Sequence, residues 1–274
     1  MDEGKLYVVA TPIGNLKDIT LRALEVLEQA DLIAAEDTRH SAILLKHYNI
    51  TTRLVSYHEH SGDKKTDNIM GMLLSGQNVA LVSDAGTPLI SDPGYPLVRA
   101  AREAGIEVVC VPGPCAAIAA LSASAVGEGR FVFWGFLDAK SSVRKKQLEA
   151  VKGFGMPVVL YEGPHRLMQT LQDILFVCGQ EAQVAVAREL TKMYEEYFFG
   201  SIGEAIARFE NKELRGEFVL ILQCPKETAE ITDDEIRAML QECMANKMSK
   251  KDAVAEVAGR LGLPKNKVYK VSLG

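Results

Sequence analysis

Polar side chains that could bind or transform a small molecule follow a short apolar segment near residue 80. The apolar run Val79–Val82 predicts a buried strand of a parallel sheet. The segment after it combines hydroxyls and carboxylates with glycines and prolines: Ser83, Asp84, Gly86, Thr87, Pro88, Ser91, Asp92, Pro93 and Gly94. A rigid loop at the carboxyl end of a strand suits a ligand with amine, carboxylate and hydroxyl groups. An ordinary strand-to-helix turn has a similar composition, so both interpretations stay open.

A second polar cluster follows the strand predicted at 31–35. Glu36, Asp37, Arg39 and His40 come almost in succession. Acids are favourable in the first turn of a helix, so the cluster could simply begin a helix. We favour the rim of an active site, because an arginine beside two acids is more than a helix cap needs.

A third polar cluster lies in the second half of the chain, again where predicted strands end. Its members are Glu162, His165, Arg166, Arg188, Glu189 and Lys192. No metal site is predicted, because His58-Glu59-His60 lacks the spacing that puts two zinc ligands on one helix face.

Alternating apolar and amphipathic segments indicate an α/β fold that carries these clusters. In the first half we predict strands at 5–10, 31–35, 53–57, 79–82 and 106–111. Loops rich in proline and glycine follow three of them, at 11–15, 83–94 and 112–115. Because the carboxyl ends of parallel strands share one edge of a sheet, these loops should converge on a ligand pocket. The missing G-x-G-x-x-G motif disfavours a nicotinamide-dependent oxidoreductase.

The second half predicts a mixed sheet followed by helices. Strands are expected at 131–137, 157–162, 184–187, 195–200 and 217–223, and linkers at 138–142 and 226–230. A capping box at Thr232 and Glu235 opens helices that end in a basic segment, which is a helix-turn-helix pattern. A small helical cap with a solvated basic face is the alternative for this tail. The predicted domains are 1–138, 139–225 and 231–274.

Composition narrows the class of protein. The chain has 274 residues, 47% of them hydrophobic, and a net charge of −5, which favours a soluble globular protein over a generally basic nucleic-acid coat. Lysines and arginines nevertheless outnumber acids in residues 245–274, which suggests a polyanionic partner. Five cysteines without a C-x-x-C pair, and no signal peptide or membrane span, predict reduced thiols and a cytoplasmic location.

Several motifs together resemble those of the tetrapyrrole-methylase (class III) methyltransferases. They are VATPIGNLKDIT (9–20), AEDTRHS (35–41), LVSDAGTPLISDPGYPLV (81–98), VPGPCAA (111–117), FWGFL (133–137), LYEGPHRL (160–167), ARELTK (187–192) and GEFVLIL (216–222). Their combination is most similar to a group that uses S-adenosylmethionine to methylate the ribose 2′-hydroxyl of a cytidine in 16S rRNA of the small ribosomal subunit. The C-terminal helices resemble the helix-turn-helix tail of that group.

The resemblance implies two α/β domains with the cofactor, S-adenosylmethionine, in the cleft between them, and a homodimer. The cofactor-binding residues that we expect at the three loops and the interdomain crossing are Pro12, Gly14, Asp84, Gly86, Thr87, Pro88, Ser91, Cys115, Ala116 and Phe136. Cys115 departs from the family pattern, which usually has serine there; we expect little effect, because both side chains are small.

Methyl transfer to a ribose hydroxyl requires a group that accepts its proton. The candidates are Glu36, Asp37, His165 and Glu189, and we favour Glu36 and His165 as an acid–base pair. Cations would hold RNA phosphates, at Arg39, Arg166, Arg188 and Lys192 near the site and at Lys265 and Lys267 in the tail. For each residue near the site, an interdomain salt bridge is the alternative.

Two other functions stay open at this point. A methyltransferase that acts on a small tetrapyrrole is the nearest rival, although the basic tail argues against it. A DNA-binding regulator that uses the α/β body as a sensor is a non-enzymatic alternative, and it would show no turnover.

Overall fold

The chain forms two compact units, Met1–Pro225 and Lys226–Gly274. The structure is a computed structural model that describes residues 3–58, 62–127, 129–225, 232–246 and 248–273. The predicted linker at 226–230, together with Glu59 and His60, lies outside the described residues.

A five-stranded parallel sheet forms the first half of the first unit. Its strands are β1 (Leu6–Val9), β2 (Leu32–Ala35), β3 (Leu54–Ser56), β4 (Val79–Val82) and β5 (Val108–Val111), in the order β3-β2-β4-β1-β5. The helices of this half are α1 (Leu21–Gln29), α2 (Thr38–His47), α3 (Gly62–Leu74), α4 (Tyr95–Glu103) and α5 (Ala116–Ala123). Adjacent residues of β4 enter different core clusters, Ala80 and Val82 in one and Leu81 in the other. Burial on both faces explains why this strand is a continuous apolar run, and the predicted parallel sheet is confirmed.

A second five-stranded sheet completes the first unit. Its strands are β6 (Val132–Phe136), β7 (Val158–Glu162), β8 (Gln183–Arg188), β9 (Glu196–Ser201) and β10 (Phe218–Gln223), in the order β6-β7-β10-β8-β9. Its helices are α6 (Ser141–Lys152), α7 (Leu167–Cys178) and α8 (Ile202–Phe209). Only β6 and β7 pair in parallel, so the predicted mixed sheet is confirmed.

The aromatic strand β6 pairs with β7 and therefore belongs to the second sheet. The change from the first sheet to the second thus precedes residue 132. A strand's composition does not specify which neighbour it will pair with, so the sequence could not show this.

The polar segment predicted as a linker at 138–142 is anchored. Arg144 is almost completely buried and pairs with Asp173 at 2.7 Å. The same guanidinium donates to the carbonyl oxygens of Asp138 and Ala139, both at 3.1 Å. Helix α6 already begins at Ser141. The segment is exposed, yet its backbone is tied to a buried ion pair whose second partner, Asp173, lies far away in the sequence.

Two of the five cysteines are bonded, which corrects the expectation that all thiols are reduced. Cys178, at the end of α7, and Cys224, just after β10, form a disulfide with their Cα atoms 5.6 Å apart. The spacing of 46 residues matches no short cysteine motif, so only the packing of α7 beside the sheet brings the two sulfur atoms together.

The second unit contains the helices α9 (Asp233–Ala245), α10 (Lys250–Leu261) and α11 (Lys265–Val271). The predicted capping box is confirmed: Thr232 and Glu235 bond each other's backbone at the start of α9. Gly262 adopts a left-handed conformation after α10, which allows the tight turn into α11. One small apolar core holds the three helices together. Among the described residues, no helix is long and apolar enough to cross a membrane.

Candidate active site

The three predicted loops meet at the carboxyl edge of the first sheet. Thr11 and Gly86 exchange two backbone hydrogen bonds of 2.8 and 3.0 Å. The Thr87 hydroxyl donates to the carbonyl oxygen of Pro114 at 3.1 Å. The expected convergence is confirmed, because β4, β1 and β5 are adjacent strands and their ends deliver the loops to the same place.

A first cavity of about 460 Å³ lies between these loops and the strand ends of the second sheet. The first half of the unit contributes Ile13, Glu36, Asp84, Ala85, Gly86, Thr87, Ile90, Ser91, Asp92, Cys115 and Ala116. The second half contributes Phe136, Tyr161, Glu162, Gly163, Leu190, Glu217, Phe218 and Val219. Apolar and aromatic surface is thus combined with a few carboxylates and hydroxyls, as in small-molecule sites.

Three carboxylates line one side of the first cavity, at Glu36, Asp84 and Asp92. Asp84 accepts a hydrogen bond from the backbone N–H of Asp37 at 3.0 Å, which ties the end of β4 to the end of β2. Burial raises the pKa of Asp92 to about 6; a hydrogen bond with Ser83 opposes the rise, and the charges of Glu36 and Asp84 add to it. Asp92 therefore changes charge near neutral pH.

Tyr161 contributes an aromatic ring and a hydroxyl to the same cavity. Its hydroxyl accepts a hydrogen bond from the backbone N–H of Ala117 at 3.2 Å. The rings of Phe133 and Phe136 lie edge-on to it, with centroids at 5.1 and 5.6 Å. Burial raises the pKa of Tyr161 well above its usual range, so the phenol stays protonated.

A second cavity of about 620 Å³ adjoins the first. It is lined by Glu36, Tyr57, His58, Gly62, Asp63, Thr66, Ser91, Asp92, Pro93, Gly94, Tyr95 and Pro96. Glu36, Ser91 and Asp92 line both cavities, so the two spaces share a wall.

Most of the residues expected to bind the cofactor surround the first cavity. Asp84, Gly86, Thr87, Ser91, Cys115, Ala116 and Phe136 line it. Pro12 and Pro88 are instead buried within their loops. Gly14 packs against the loop after β8, where an added Cβ would come within 2.5 Å of the Lys192 side chain.

The four predicted catalytic residues are not brought together. Glu36 lines both cavities. Asp37 caps α2 and forms a bidentate pair with Arg39, and hydrogen bonds from Arg39 lower its pKa to about 2. This is the helix-start role that the alternative interpretation named. His165 is exposed just before α7 and does not line either cavity.

Glu189 is held in an ion pair instead of facing the cavities. It accepts hydrogen bonds from Lys192 Nζ at 2.8 Å and from the backbone N–H of Glu217 at 3.2 Å. Burial would raise the pKa of Glu189, but these bonds outweigh it and lower the pKa.

The four cations predicted near the site all have acidic partners. Arg39 pairs with Asp37, Arg166 with Glu162, Arg188 with Glu196, and Lys192 with Glu189 and Glu217. Each of these pairs joins residues of the same half of the unit, so they are salt bridges but not the interdomain ones that the alternative named. Lys265 and Lys267 are exposed on α11 in the second unit.

Sequence reasoning missed part of the cavity wall. Four residues line the first cavity but are of types common in any apolar core: Tyr161 of β7, Phe218 and Val219 of β10, and Leu190 in the turn after β8. Asp92 was recognised only as part of a polar loop. Its position between Ser91 and Pro93, before the start of α4, was the available signal. Among the described residues, no group of three or more His, Cys, Asp or Glu side chains could hold a metal ion.

The sequence matches the family described as Tetrapyrrole (Corrin/Porphyrin) Methylases over residues 5–206 and the RsmI C-terminal HTH domain over residues 229–274. It is 49% identical to the Ribosomal RNA small subunit methyltransferase I of Escherichia coli O157:H7, over 99% of this chain and 95% of the relative. The protein of the same name from Synechocystis sp. is 46% identical, over 98% of both chains. That from Bacillus subtilis is 41% identical, over 98% of this chain and 94% of the relative.

Solved structures support the same fold at low sequence identity. The cobalt precorrin-4 methyltransferase CbiF superposes with a TM-score of 0.62 at 15% identity, over 80% of this chain and 94% of that chain. A diphthine synthase superposes with a TM-score of 0.61 at 13% identity, over 80% of this chain and 90% of that chain.

Proposed function

This chain belongs to the tetrapyrrole methylase family and, within it, to the ribosomal RNA small subunit methyltransferase I group. We propose that it methylates the ribose 2′-hydroxyl of a cytidine in 16S rRNA, with S-adenosylmethionine as methyl donor. The observation that carries the proposal is the near full-length similarity to proteins of that name, at 41 to 49% identity. A tetrapyrrole substrate is disfavoured, because the solved tetrapyrrole enzyme CbiF is only 15% identical and spans 80% of the chain.

The first cavity suits S-adenosylmethionine by its chemistry. The carboxylates of Glu36 and Asp84 complement the positive charges of an amine and a sulfonium, and the rings of Phe136 and Tyr161 offer apolar surface to a purine. Gly86 has φ of 83°, a left-handed backbone conformation that side chains rarely adopt, so the turn at this wall of the cavity favours glycine. When bound, the cofactor supplies an electrophilic methyl group.

The proposed site keeps the residues that line the first cavity. Asp84, Gly86, Thr87, Ser91, Cys115, Ala116 and Phe136 bind and orient the cofactor, and Glu36 acts beside the reacting atoms. Of the predicted RNA contacts near the site, Arg39 is the most accessible, with 90% of its side chain exposed. Lys265 and Lys267 would contact RNA phosphates from the second unit. The domain boundaries at 1–138, 139–225 and 231–274 stay predictions.

Methyl transfer to ribosomal subunits tests the proposal. Small subunits from a strain that lacks this gene are incubated with tritiated S-adenosylmethionine, and large subunits serve as the control. We expect label in 16S rRNA that resists alkaline cleavage next to the modified nucleotide, as a 2′-O-methyl group requires. If no label appears in either subunit or in free rRNA, an rRNA substrate is excluded and a tetrapyrrole substrate is favoured.

The proposal also includes a cytoplasmic location and a homodimeric state. Both rest on the family resemblance, and the location also rests on the role in ribosomal RNA modification. Sedimentation equilibrium at several concentrations should give a mass of twice 29.9 kDa; a single monomeric mass would contradict the dimer.

A further inference from the structure

The wall between the two cavities limits where methyl transfer can occur. Among the described residues, Glu36, Ser91 and Asp92 line both spaces. In an in-line displacement, the attacking oxygen approaches the methyl carbon from the side opposite the sulfur. An acceptor in the second cavity would meet a donor in the first cavity across this wall.

We infer that the second cavity holds the acceptor nucleotide of a single-stranded RNA segment and that Asp92 accepts the proton of its ribose hydroxyl. This inference rests on the proposed function and assigns both the acceptor site and the proton acceptor. The sequence analysis favoured Glu36 and His165 for the proton transfer.

The second cavity has the size and the lining that an unpaired nucleotide needs. Its volume is about 620 Å³, and Tyr57, Tyr95 and two prolines form part of its wall. Tyr57 is buried, and its hydroxyl shares a hydrogen bond of 3.0 Å with the Thr66 hydroxyl. Tyr95, by contrast, is 67% exposed. Exposed aromatic rings beside a pocket are the usual stacking surface for unpaired bases of RNA.

Glu36 and Asp92 are the two carboxylates among the three shared residues, and the strained loop and the raised pKa of Asp92 favour it as the proton acceptor. A serine hydroxyl such as that of Ser91 is too weakly basic. Leu89 and Ser91, just before Asp92, both have left-handed backbone conformations, with φ of 71° and 69°, and such strained residues cluster at active sites. Burial also gives Asp92 a pKa of about 6, which makes it a stronger base than an ordinary aspartate.

The charged and titratable groups that face Asp92 come from several elements. Glu36 follows β2 and Asp84 follows β4, and both raise its pKa, while Ser83 lowers it. Tyr161 of β7 faces it across the first cavity. The second cavity adds Tyr57, His58, Asp63 and Tyr95.

The step balances without a further reactant. The ribose hydroxyl gives its proton to the Asp92 carboxylate, and its oxygen forms a bond with the methyl carbon. The bond between that carbon and sulfur breaks, and its electron pair stays on sulfur as a neutral thioether. The positive charge of the donor and the negative charge of the carboxylate disappear together.

Single-turnover transfer to small subunits tests the role of Asp92. Asp92→Asn should lower the rate at least about 100-fold, the usual contribution of a positioned base, while calorimetry shows the product S-adenosylhomocysteine still binding. Asp67→Asn is the matched control, because Asp67 is an exposed acid of α3 that lines neither cavity. A rate for Asp92→Asn within about threefold of the control would overturn the inference.

The pH dependence separates Asp92 from Glu36. The wild-type rate should rise with pH, with an apparent pKa near the value of about 6 for Asp92, because only the carboxylate accepts a proton. Glu36→Gln removes a negative charge near Asp92, so it should lower the Asp92 pKa and move the rise of the rate to lower pH. Loss of transfer in Glu36→Gln, with transfer retained in Asp92→Asn, would assign the base to Glu36 instead.

Binding of RNA tests the second cavity without turnover. Fluorescence anisotropy follows a short unpaired cytidine-containing RNA on the protein saturated with S-adenosylhomocysteine. Tyr95→Ala should weaken RNA binding about tenfold, and Tyr95→Phe should bind like wild type. Equal binding by all three proteins would overturn the assignment of this cavity.

The inference and the proposed function fail in distinguishable ways. If the wild-type protein labels no RNA at all, the proposed function is wrong. If it labels 16S rRNA while Asp92→Asn and Tyr95→Ala behave like wild type, only the inference is wrong.

Discussion

Glu162 is a buried carboxylate whose two oxygens are fully occupied by nearby groups. One oxygen accepts hydrogen bonds from the Gly163 backbone at 2.8 Å and from Arg166 at 2.9 Å, and the other accepts from Thr170 at 2.6 Å. Its side chain is 1% exposed. Because Gly163 lines the first cavity, this network fixes part of the cavity wall at the start of α7.

Removing this carboxylate should destabilise the protein. Glu162→Ala leaves Arg166 and Thr170 without their partner, and we expect a loss of about 3 kcal/mol in the free energy of unfolding, measured by urea denaturation. Glu213→Ala is the matched control, since Glu213 and Arg215 form an exposed pair that should contribute less than about 1 kcal/mol. Equal losses in the two variants would contradict the role of Glu162.

The pair between Asp37 and Arg39 makes a prediction about acid titration. Hydrogen bonds from Arg39 lower the pKa of Asp37 from 3.8 to about 2. The pair therefore stabilises the fold fully above the ordinary pKa of 3.8, and this contribution disappears as the pH falls through about 2.

Arg39→Ala should return the Asp37 pKa toward its ordinary value. Carboxyl carbon chemical shifts measured against pH follow this titration directly. Arg22→Ala, which removes an exposed arginine of α1, should leave the Asp37 titration where it is in the wild type. An unchanged Asp37 pKa in Arg39→Ala would show that the helix cap alone holds the carboxylate.

At the scale of elements, the loop between β4 and α4 contributes more to the two cavities than any other loop in the described part of the chain. Ser91 and Asp92 belong to both walls, and Gly94 ends the loop at the second cavity. Gly94 has φ of 129°, and an added Cβ would lie 2.9 Å from Leu81 of β4. The loop can thus turn back over its own strand only because this residue has no side chain.

Gly94→Ala should therefore destabilise the protein, by about 1 to 3 kcal/mol in thermal or urea unfolding, because it combines backbone strain with a steric overlap. Gly71→Ala is the matched control. Gly71 lies within α3 with nothing near the added carbon, so the substitution should stabilise the helix by about 0.5 to 1 kcal/mol. The same sign of change in both variants would contradict this account.

At the scale of the whole molecule, the exposed lysines of α11 and the carboxylates of the two cavities carry opposite charges. The exposed lysines of α11 lie in the second unit, while the cavities of the first unit are rich in carboxylates. Under the proposed function, the lysines of α11 would bind RNA phosphates while the cavities of the first unit hold the reacting groups.

Lys265→Gln combined with Lys267→Gln should weaken RNA binding and reduce the slope of log affinity against log salt by about 1 to 2. Lys140→Gln with Lys146→Gln is the matched control, because both lysines are exposed on the first unit. Cofactor binding should be the same in all variants. A salt slope equal to that of the control would exclude α11 from the RNA interface.

Much of the fold and part of the site could be predicted from the sequence. The continuous apolar run 79–82 and the proline- and glycine-rich loops predicted parallel strands and a pocket at their carboxyl ends, and both exist. The composition of 132–136 predicted a strand but could not show that it pairs with β7 in the second sheet. Local composition also could not show that Arg144 is buried against Asp173.

The sequence by itself determined the identity and order of the elements, since periodicity, caps and turn residues act over a few positions. It also determined the family, because the motifs lie along nearly the whole chain. Only the tertiary structure decided which charged residues line the cavities and which pair with each other. Arg39 and Glu189 are of residue types common in active sites, yet each is held in an ion pair. Asp92 instead lies in the wall that both cavities share. The reason is physical: a carboxylate's basicity depends on its burial and on charges that the fold brings near, and these come from residues far apart in the sequence.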